Sequence, residues 1–436
     1  MPRVALHTLG CKLNYAETST IGKQFLDRGF DVVDFGTPAD VVVINTCTVT
    51  ERADRECRQL IRRALRSEAP PYVVVTGCYA QLEPEEIASI NGVDLVLGAR
   101  EKFDIFRYMN QFGKLNSPRI HVSDIETVDD FGPAFTTEAV GRTRAYLKVQ
   151  DGCDYTCSFC TIPLARGPSR SQTIEQCVAQ AADLVQEKYK EIVLTGVNVG
   201  DYGKKTGTSL LRLVQELVCI EGLERIRISS IEPNLLTDDM ISFIARHQKM
   251  CKHFHIPLQS GADEILRQMR RRYTTGDYRA LIARICEAIP DAGIGVDVIV
   301  GFPGETDRHF EETYAFLHEL PISYLHVFTY SERPNTPAAD MRLIVRPDVR
   351  HRRNDMLRIL SQKKRHAFYE TMVGRLVTVL TEGDLERGSR FGFTENYVRV
   401  GVPADGVGEN ILLPVLITGV EENVCRGVVP PVRGQV

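Results

Sequence analysis

Between residues 146 and 329 the sequence repeats one pattern six times: a short β-branched run, then a stretch with apolar residues every three to four positions. The runs are Tyr146–Val149, Ile192–Gly196, Ile226–Ser229, Phe254–Pro257, Gly295–Val300 and Tyr324–Thr329. Strands that alternate with helices pair in parallel and carry the helices on the sheet face. Six units fall short of the eight of a closed barrel, so a partial (β/α)6 barrel is predicted, with function in the loops at the C-terminal strand ends.

The 436 residues exceed what one core usually holds, and the flanks read differently. Residues 1–112 alternate strand (Val4–Gly10, Val41–Thr46, Tyr72–Gly77, Leu95–Gly98) and helix (Glu17–Arg28, Arg52–Ser67), which predicts a second parallel α/β sheet. Its first three strands run straight into Cys11, Cys47 and Cys78, so three thiols distant in sequence are expected at one sheet edge. Residues 113–145 read as a connector. Residues 146–371 hold the partial barrel and a basic helix, and residues 372–436 carry short strands between Gly, Asp, Asn and Pro, predicting a small antiparallel β-barrel.

The chain is 43% hydrophobic and 25% charged, with no apolar run long enough to span a bilayer and no signal-peptide pattern at its start. A cytoplasmic location is therefore expected, where twelve cysteines point to metal ligation or buried thiols rather than disulfides. The net charge of −4 excludes a basic coat but leaves room for a local patch. Arg342–Arg375 is one, with ten Lys/Arg against three acids. It reads either as a solvated helix face or as an RNA footprint.

The first barrel strand runs into Cys153, Cys157 and Cys160, with Phe159 before the last. Three thiolates on a 4Fe–4S cube leave one iron open to a further ligand. A zinc site borrowing a fourth ligand, such as His7, is the plainer alternative, though no second C-x2-C knuckle is present. The C-x3-C-x2-C spacing resembles the radical S-adenosylmethionine (SAM) superfamily, where SAM chelates the open iron and is cleaved to a 5′-deoxyadenosyl radical. That resemblance implies SAM contacts in the loops after later strands: Phe159, Gly196, Asn198, Ser229, Glu232, Gln259 and Phe302. Ordinary turn chemistry is the alternative for each of these loops.

Taken together, Gly10-Cys11-Lys12-Leu13-Asn14, Asn45-Thr46-Cys47, Thr76-Gly77-Cys78 and the run Cys160–Ser171 resemble the methylthiotransferase family over essentially the whole chain. The resemblance implies a flavodoxin-like N-terminal domain, a radical SAM core and a C-terminal RNA-binding TRAM barrel. It implies a second 4Fe–4S cluster on Cys11, Cys47 and Cys78 that donates sulfur. Two SAM molecules are then used per product, one to methylate the sulfur and one to remove hydrogen from C2 of an adenine.

Lys12-Leu13 is similar to the subgroup acting on N6-threonylcarbamoyladenosine in the tRNA anticodon loop. The alternatives are isopentenyladenosine, a ribosomal-protein aspartate, or a non-catalytic metal-stabilised RNA-binding protein. A reductase or flavodoxin-type electron donor and a sulfur donor are the further partners implied.

For RNA contact, Arg166 and Arg170 lie beside the cluster loop, and Arg390 and Arg399 flank Phe391, Phe393 and Tyr397. Those aromatics read equally as RNA surface or as core. The other six cysteines (Cys57, Cys177, Cys219, Cys251, Cys286, Cys425) read as core thiols, and His253 and His255 as structural histidines.

Overall fold

The computed structural model describes residues 1–67, 69–109, 112–128, 130–136 and 143–431; part of the expected connector and the end of the C-terminal segment lie outside these. The N-terminal sheet has six parallel strands: β1 (Arg3–Thr8), β2 (Asp31–Val33), β3 (Val41–Thr46), β4 (Tyr72–Gly77), β5 (Leu95–Leu97) and β6 (Arg119–His121). Their order, β2-β1-β3-β4-β5-β6, is that of a flavodoxin-like sheet with one strand added at the edge. Helices cover both faces over two apolar clusters, one around Phe25 and Ile105 and the other around Ile61 and Ile87. β6 falls within the stretch read as connector and extends this sheet. It was illegible because Arg119-Ile120-His121 is short and mostly exposed.

The central arc begins with β7 (Arg144–Lys148), followed by the small pair β8 (Gln150–Asp151) and β9 (Arg170–Ser171). Then come β10 (Glu191–Thr195), β11 (Arg225–Ile228), β12 (His253–His255), β13 (Gly293–Val300) and β14 (Tyr324–Thr329). Two parallel three-stranded sheets, β11-β10-β7 and β12-β13-β14, meet at the single bridges Ile226↔Met250 and Ser230↔His255. The six units therefore form an open arc. Ala145, Leu147, Ile192, Leu194, Val296 and Val298 face the helices in one large core, which turns the alternate residues to the concave interior.

The C-terminal unit corrects the antiparallel barrel expected from sequence. Its strands, β15 (Leu376–Glu386), β16 (Ser389–Thr394), β17 (Arg399–Pro403), β18 (Leu412–Glu421) and β19 (Val424–Val428), pair in the order β15-β16-β17-β19-β18. The β17–β19 seam is parallel and two residue pairs long, Val400↔Cys425 and Gly401↔Arg426. β15 also pairs antiparallel with β18, so the five strands close on themselves, and this closed unit is mixed, not wholly antiparallel, with one thin parallel seam. The basic helix Pro347–Glu370 packs against it, but Arg350 and Arg353 are buried, pairing with Glu332 and with Glu305 and Asp307. Part of the expected basic footprint is therefore structural.

Candidate active site

The three N-terminal cysteines come together as the parallel strand ends require. Cys11 precedes the helix Lys12–Leu26, Cys47 follows β3, and Cys78 opens a short helix after β4. Gly10 has φ +99°, and a side chain there would lie 2.7 Å from Cys47 Cβ and 2.9 Å from its sulfur. Only glycine lets the first loop approach the second this closely. Asn14 stitches the loops, donating through Nδ2 to Leu9 O at 2.8 Å and Thr46 O at 3.0 Å. Thr46 Oγ1 donates to Thr76 O at 2.6 Å, tying the second loop to the third. Burial, with Cys78 nearby, pushes the Cys47 thiol up to about 12.

The second trio is held as firmly. Cys153 N–H donates to Gly167 O at 3.0 Å, and Ser158 is anchored to the turn after helix Asp263–Gln268 through Met269 O (3.1 Å) and Gln268 O (2.8 Å). Burial raises the Cys153 thiol to about 11 and Cys160 to about 12. Arg271, which the sequence had not marked, donates through Nη1 to Cys157 Sγ at 3.0 Å and through Nη2 to Glu232. Its only sequence signal was the run Arg270-Arg271-Arg272, which reads as surface charge.

Neither cysteine trio brings its three sulfurs within 4.8 Å of one another; among the described residues the one group that compact is His255, Asp297 and His326. Tetrahedral zinc–thiolate geometry places sulfurs about 3.8 Å apart. Neither trio is drawn in to the spacing of a single tetrahedral ion. His7 lies against Phe35 with the rings tilted and their centroids 4.6 Å apart, a packing role.

Around the second trio, buried polar atoms lack partners among the described residues. They are both side-chain atoms of Asn198, Ser229 Oγ and Gln259 Oε1. Gln259 is held at φ 70°. Buried polar groups are normally satisfied, so this set at the C-terminal strand ends fits a polar ligand carrying amino, carboxylate and hydroxyl groups. Gly196 lies against Gln150, whose Oε1 accepts from the Asn198 N–H at 2.8 Å. A cavity of about 230 Å³ beside them is lined by Phe159, Cys160, Gln259, Asp297, Phe328 and Tyr330. Phe302 is fully buried and meets Tyr330 edge-on at 5.6 Å, so it supports this wall instead of facing a ligand.

The two loops are joined by Arg166. Its guanidinium reaches Glu17 at 3.0 and 3.1 Å, Asp151 at 2.9 Å and Asn14 Oδ1 at 2.5 Å. It is 2% exposed, so the expected RNA contact is corrected: both terminal nitrogens are used internally. Arg170 is similarly engaged by Arg166 O, Val128 O and Asp151. Arg390 donates to Val407 O and Glu382 O within its own unit. Two of the four line cavities: Arg170 one of about 530 Å³ with Arg100, Asp130 and Phe131, and Arg399 one of about 220 Å³ with Tyr324, His326, Arg365, Phe393 and Tyr397. Of the six remaining cysteines, Cys57, Cys177, Cys251 and Cys425 are buried, whereas Cys219 is exposed and Cys286 half-buried.

A parallel arc with a three-cysteine loop after its first strand defines a radical SAM protein, and residues 147–317 match the radical SAM superfamily. Residues 3–98 match the uncharacterized protein family UPF0004. The chain is 42% identical to the threonylcarbamoyladenosine tRNA methylthiotransferase MtaB of Bacillus subtilis, over 97% of this chain and 96% of that one. It is 40% identical to its Aquifex aeolicus counterpart, over 91% and 96%. A tRNA-2-methylthio-N(6)-dimethylallyladenosine synthase of Fusobacterium nucleatum is 35% identical over 88% and 89%. Among solved structures, the radical SAM methyltransferase TsrM of Kitasatospora setae shares the fold at TM-score 0.54 and 16% identity, covering 78% of this chain and 77% of that one. The chain belongs to the radical SAM methylthiotransferase family and is closely related to the bacterial MtaB proteins. Among the described residues, no helix is long and apolar enough to cross a membrane.

Proposed function

We propose that this enzyme inserts a methylthio group at C2 of N6-threonylcarbamoyladenosine in the anticodon loop of tRNA. The observation that carries the reading is the Arg166 bridge, which ties the Cys11 loop to the Cys160 loop and so supports two centres acting together. The relatives named for threonylcarbamoyladenosine, matched over nearly their whole length, support the choice of base. An adenine C2–H carries no acidic proton, so the chemistry belongs to cofactors. When bound, two 4Fe–4S clusters and SAM supply the sulfur and the hydrogen-abstracting radical.

The chain's own residues do the positioning. Cys11, Cys47 and Cys78 hold one cluster; Cys153, Cys157 and Cys160 hold the other. Asn198, Ser229, Gln259 and Glu232 orient SAM, and Gly196 gives it a close approach. Helix Lys12–Leu26 packs against β7, excluding water on that side. Arg399 and the exposed part of the basic helix hold the RNA backbone. The division into 1–112, 113–145, 146–371 and 372–436 remains the working one, with β6 assigned to the first unit. We place the enzyme in the cytoplasm, served by a flavodoxin-type electron donor and a separate sulfur donor.

Nucleoside mass spectrometry of tRNA from a deletion strain tests this. Loss of methylthio-threonylcarbamoyladenosine alone supports the reading; loss of the isopentenyl product in its place overturns the assigned base.

A further inference from the structure

Arg166 grips the first cysteine loop, through Asn14 and Glu17, and a separate strap holds the second. β14 ends at Thr329, and residues 330–338 form this strap. Ser331 Oγ accepts the Glu51 N–H at 3.1 Å, at the start of helix Glu51–Ala64. Arg333 donates through Nη2 to Thr48 Oγ1 at 2.6 Å and pairs through Nη1 with Asp54 Oδ2 at 2.7 Å. Thr48 directly follows Cys47, and Asp54 lies in the first turn of that helix. The other end of the strap reaches the second trio. There the Ala338 N–H donates to Ser158 O at 2.8 Å, and Ser158 stands between Cys157 and Cys160.

The strap is fixed within itself as well. Thr336 Oγ1 donates to Arg333 O at 2.7 Å, and Asn335 sits at φ 61°, a left-handed conformation that asparagine tolerates. Arg333 is 6% exposed, Asp54 is 7% exposed and Thr48 is fully buried. A buried ion pair gains little net stability over apolar packing, because desolvation offsets most of the attraction. What the planar guanidinium adds is direction: it meets two partners at once in one geometry, which a lysine point charge cannot do. Among the described residues, Arg333 makes no hydrogen bond to a cysteine or to a residue assigned to SAM. Its contacts serve the placement of a loop.

We propose that Arg333 is a positioning residue, which keeps the Cys47 loop in register with the 157–160 turn so that the carbon reached by the radical is also reached by the sulfur. This rests on the two-cluster reading above and names a contact that makes the two centres act on one carbon. Misplacing reacting groups by about 1 Å can cost about 100-fold in rate, so a loop anchor far from the chemistry can decide whether the second step follows the first.

Two readouts test it. Hydrogen exchange of the full chain without clusters reads the strap alone. Arg333→Met is expected to speed exchange at residues 48–53 by about tenfold, with β3 and β4 unchanged. The reconstituted enzyme reads the consequence. Iron content and 5′-deoxyadenosine formation are expected to hold, while methylthio product per 5′-deoxyadenosine falls about 10- to 100-fold. Arg333→Lys should regain part of that ratio. Thr48→Val removes one partner of the fork, and it is expected to lower the same ratio if Arg333→Met fails to fold. A variant that keeps the wild-type ratio overturns the proposal. So does one that loses iron, SAM cleavage and product together, since that contact serves stability alone. If the wild type itself holds only about four irons, the two-cluster reading falls first and the proposal with it.

Discussion

Arg166 donates to both oxygens of the Glu17 carboxylate, at 3.0 and 3.1 Å, and thereby joins two cysteine loops that lie 149 residues apart along the chain at this contact. Lys102 and Lys148 also converge on Glu17. Burial alone would raise this carboxyl, but the three cations overcome it and hold it well below its usual range. Removing the anion strands the buried Lys102 and leaves Arg166 and Lys148 to share Asp151 alone, so Glu17→Gln is expected to cost about 3–5 kcal/mol. Urea unfolding of the apo proteins measures it. A depressed carboxyl gives its full stabilisation above the unfolded value of about 4.3 and loses it as pH falls toward the folded value. The gap between wild type and variant should therefore be constant from pH 8 to 6 and narrow only in acid.

The cysteine trios divide the labour. Cys157→Ala is expected to lose about four of eight irons and all SAM cleavage. Cys47→Ala should lose as much iron, keep SAM cleavage and make no methylthio product. Iron analysis with 5′-deoxyadenosine quantitation distinguishes them; equal loss of cleavage in both variants contradicts separate roles.

Arg271 touches a cluster-ligating sulfur and Glu232, one of the residues assigned to SAM. Outer partners of metal ligands typically matter by 10–100-fold, so Arg271→Met should slow SAM cleavage by about that factor. Iron content is expected to hold, with a changed cluster EPR spectrum.

Asn198 is buried, and both its side-chain polar atoms lack partners among the described residues. Asn198→Ala should leave the urea midpoint unchanged or raised. It should weaken SAM binding by about 10–100-fold, the worth of one hydrogen bond to a charged group. Equilibrium binding of SAM to the reconstituted protein reads this directly.

Most of the framework was legible because its signals are local. Strand–helix alternation gave both parallel sheets, and the strand-end position of Cys11, Cys47 and Cys78 gave their convergence. The misses arose where long-range pairing decides. β6 gains its place only by pairing with β5. The parallel β17–β19 seam depends on two residue pairs that no turn announces. Arg166 read as a nucleic-acid contact because an arginine beside a cluster loop carries no mark of burial; Glu17 and Asn14, its partners, lie on another domain.

The most direct measurement uses an anticodon stem-loop with deuterium at C2 of the target threonylcarbamoyladenosine. The reconstituted enzyme, SAM and a reductant should move that deuterium into 5′-deoxyadenosine while the same adenosine gains a methylthio group. A methylthio product formed without deuterium transfer, or deuterium transfer with no sulfur gained when both clusters are loaded, contradicts two cysteine-held centres acting on one carbon.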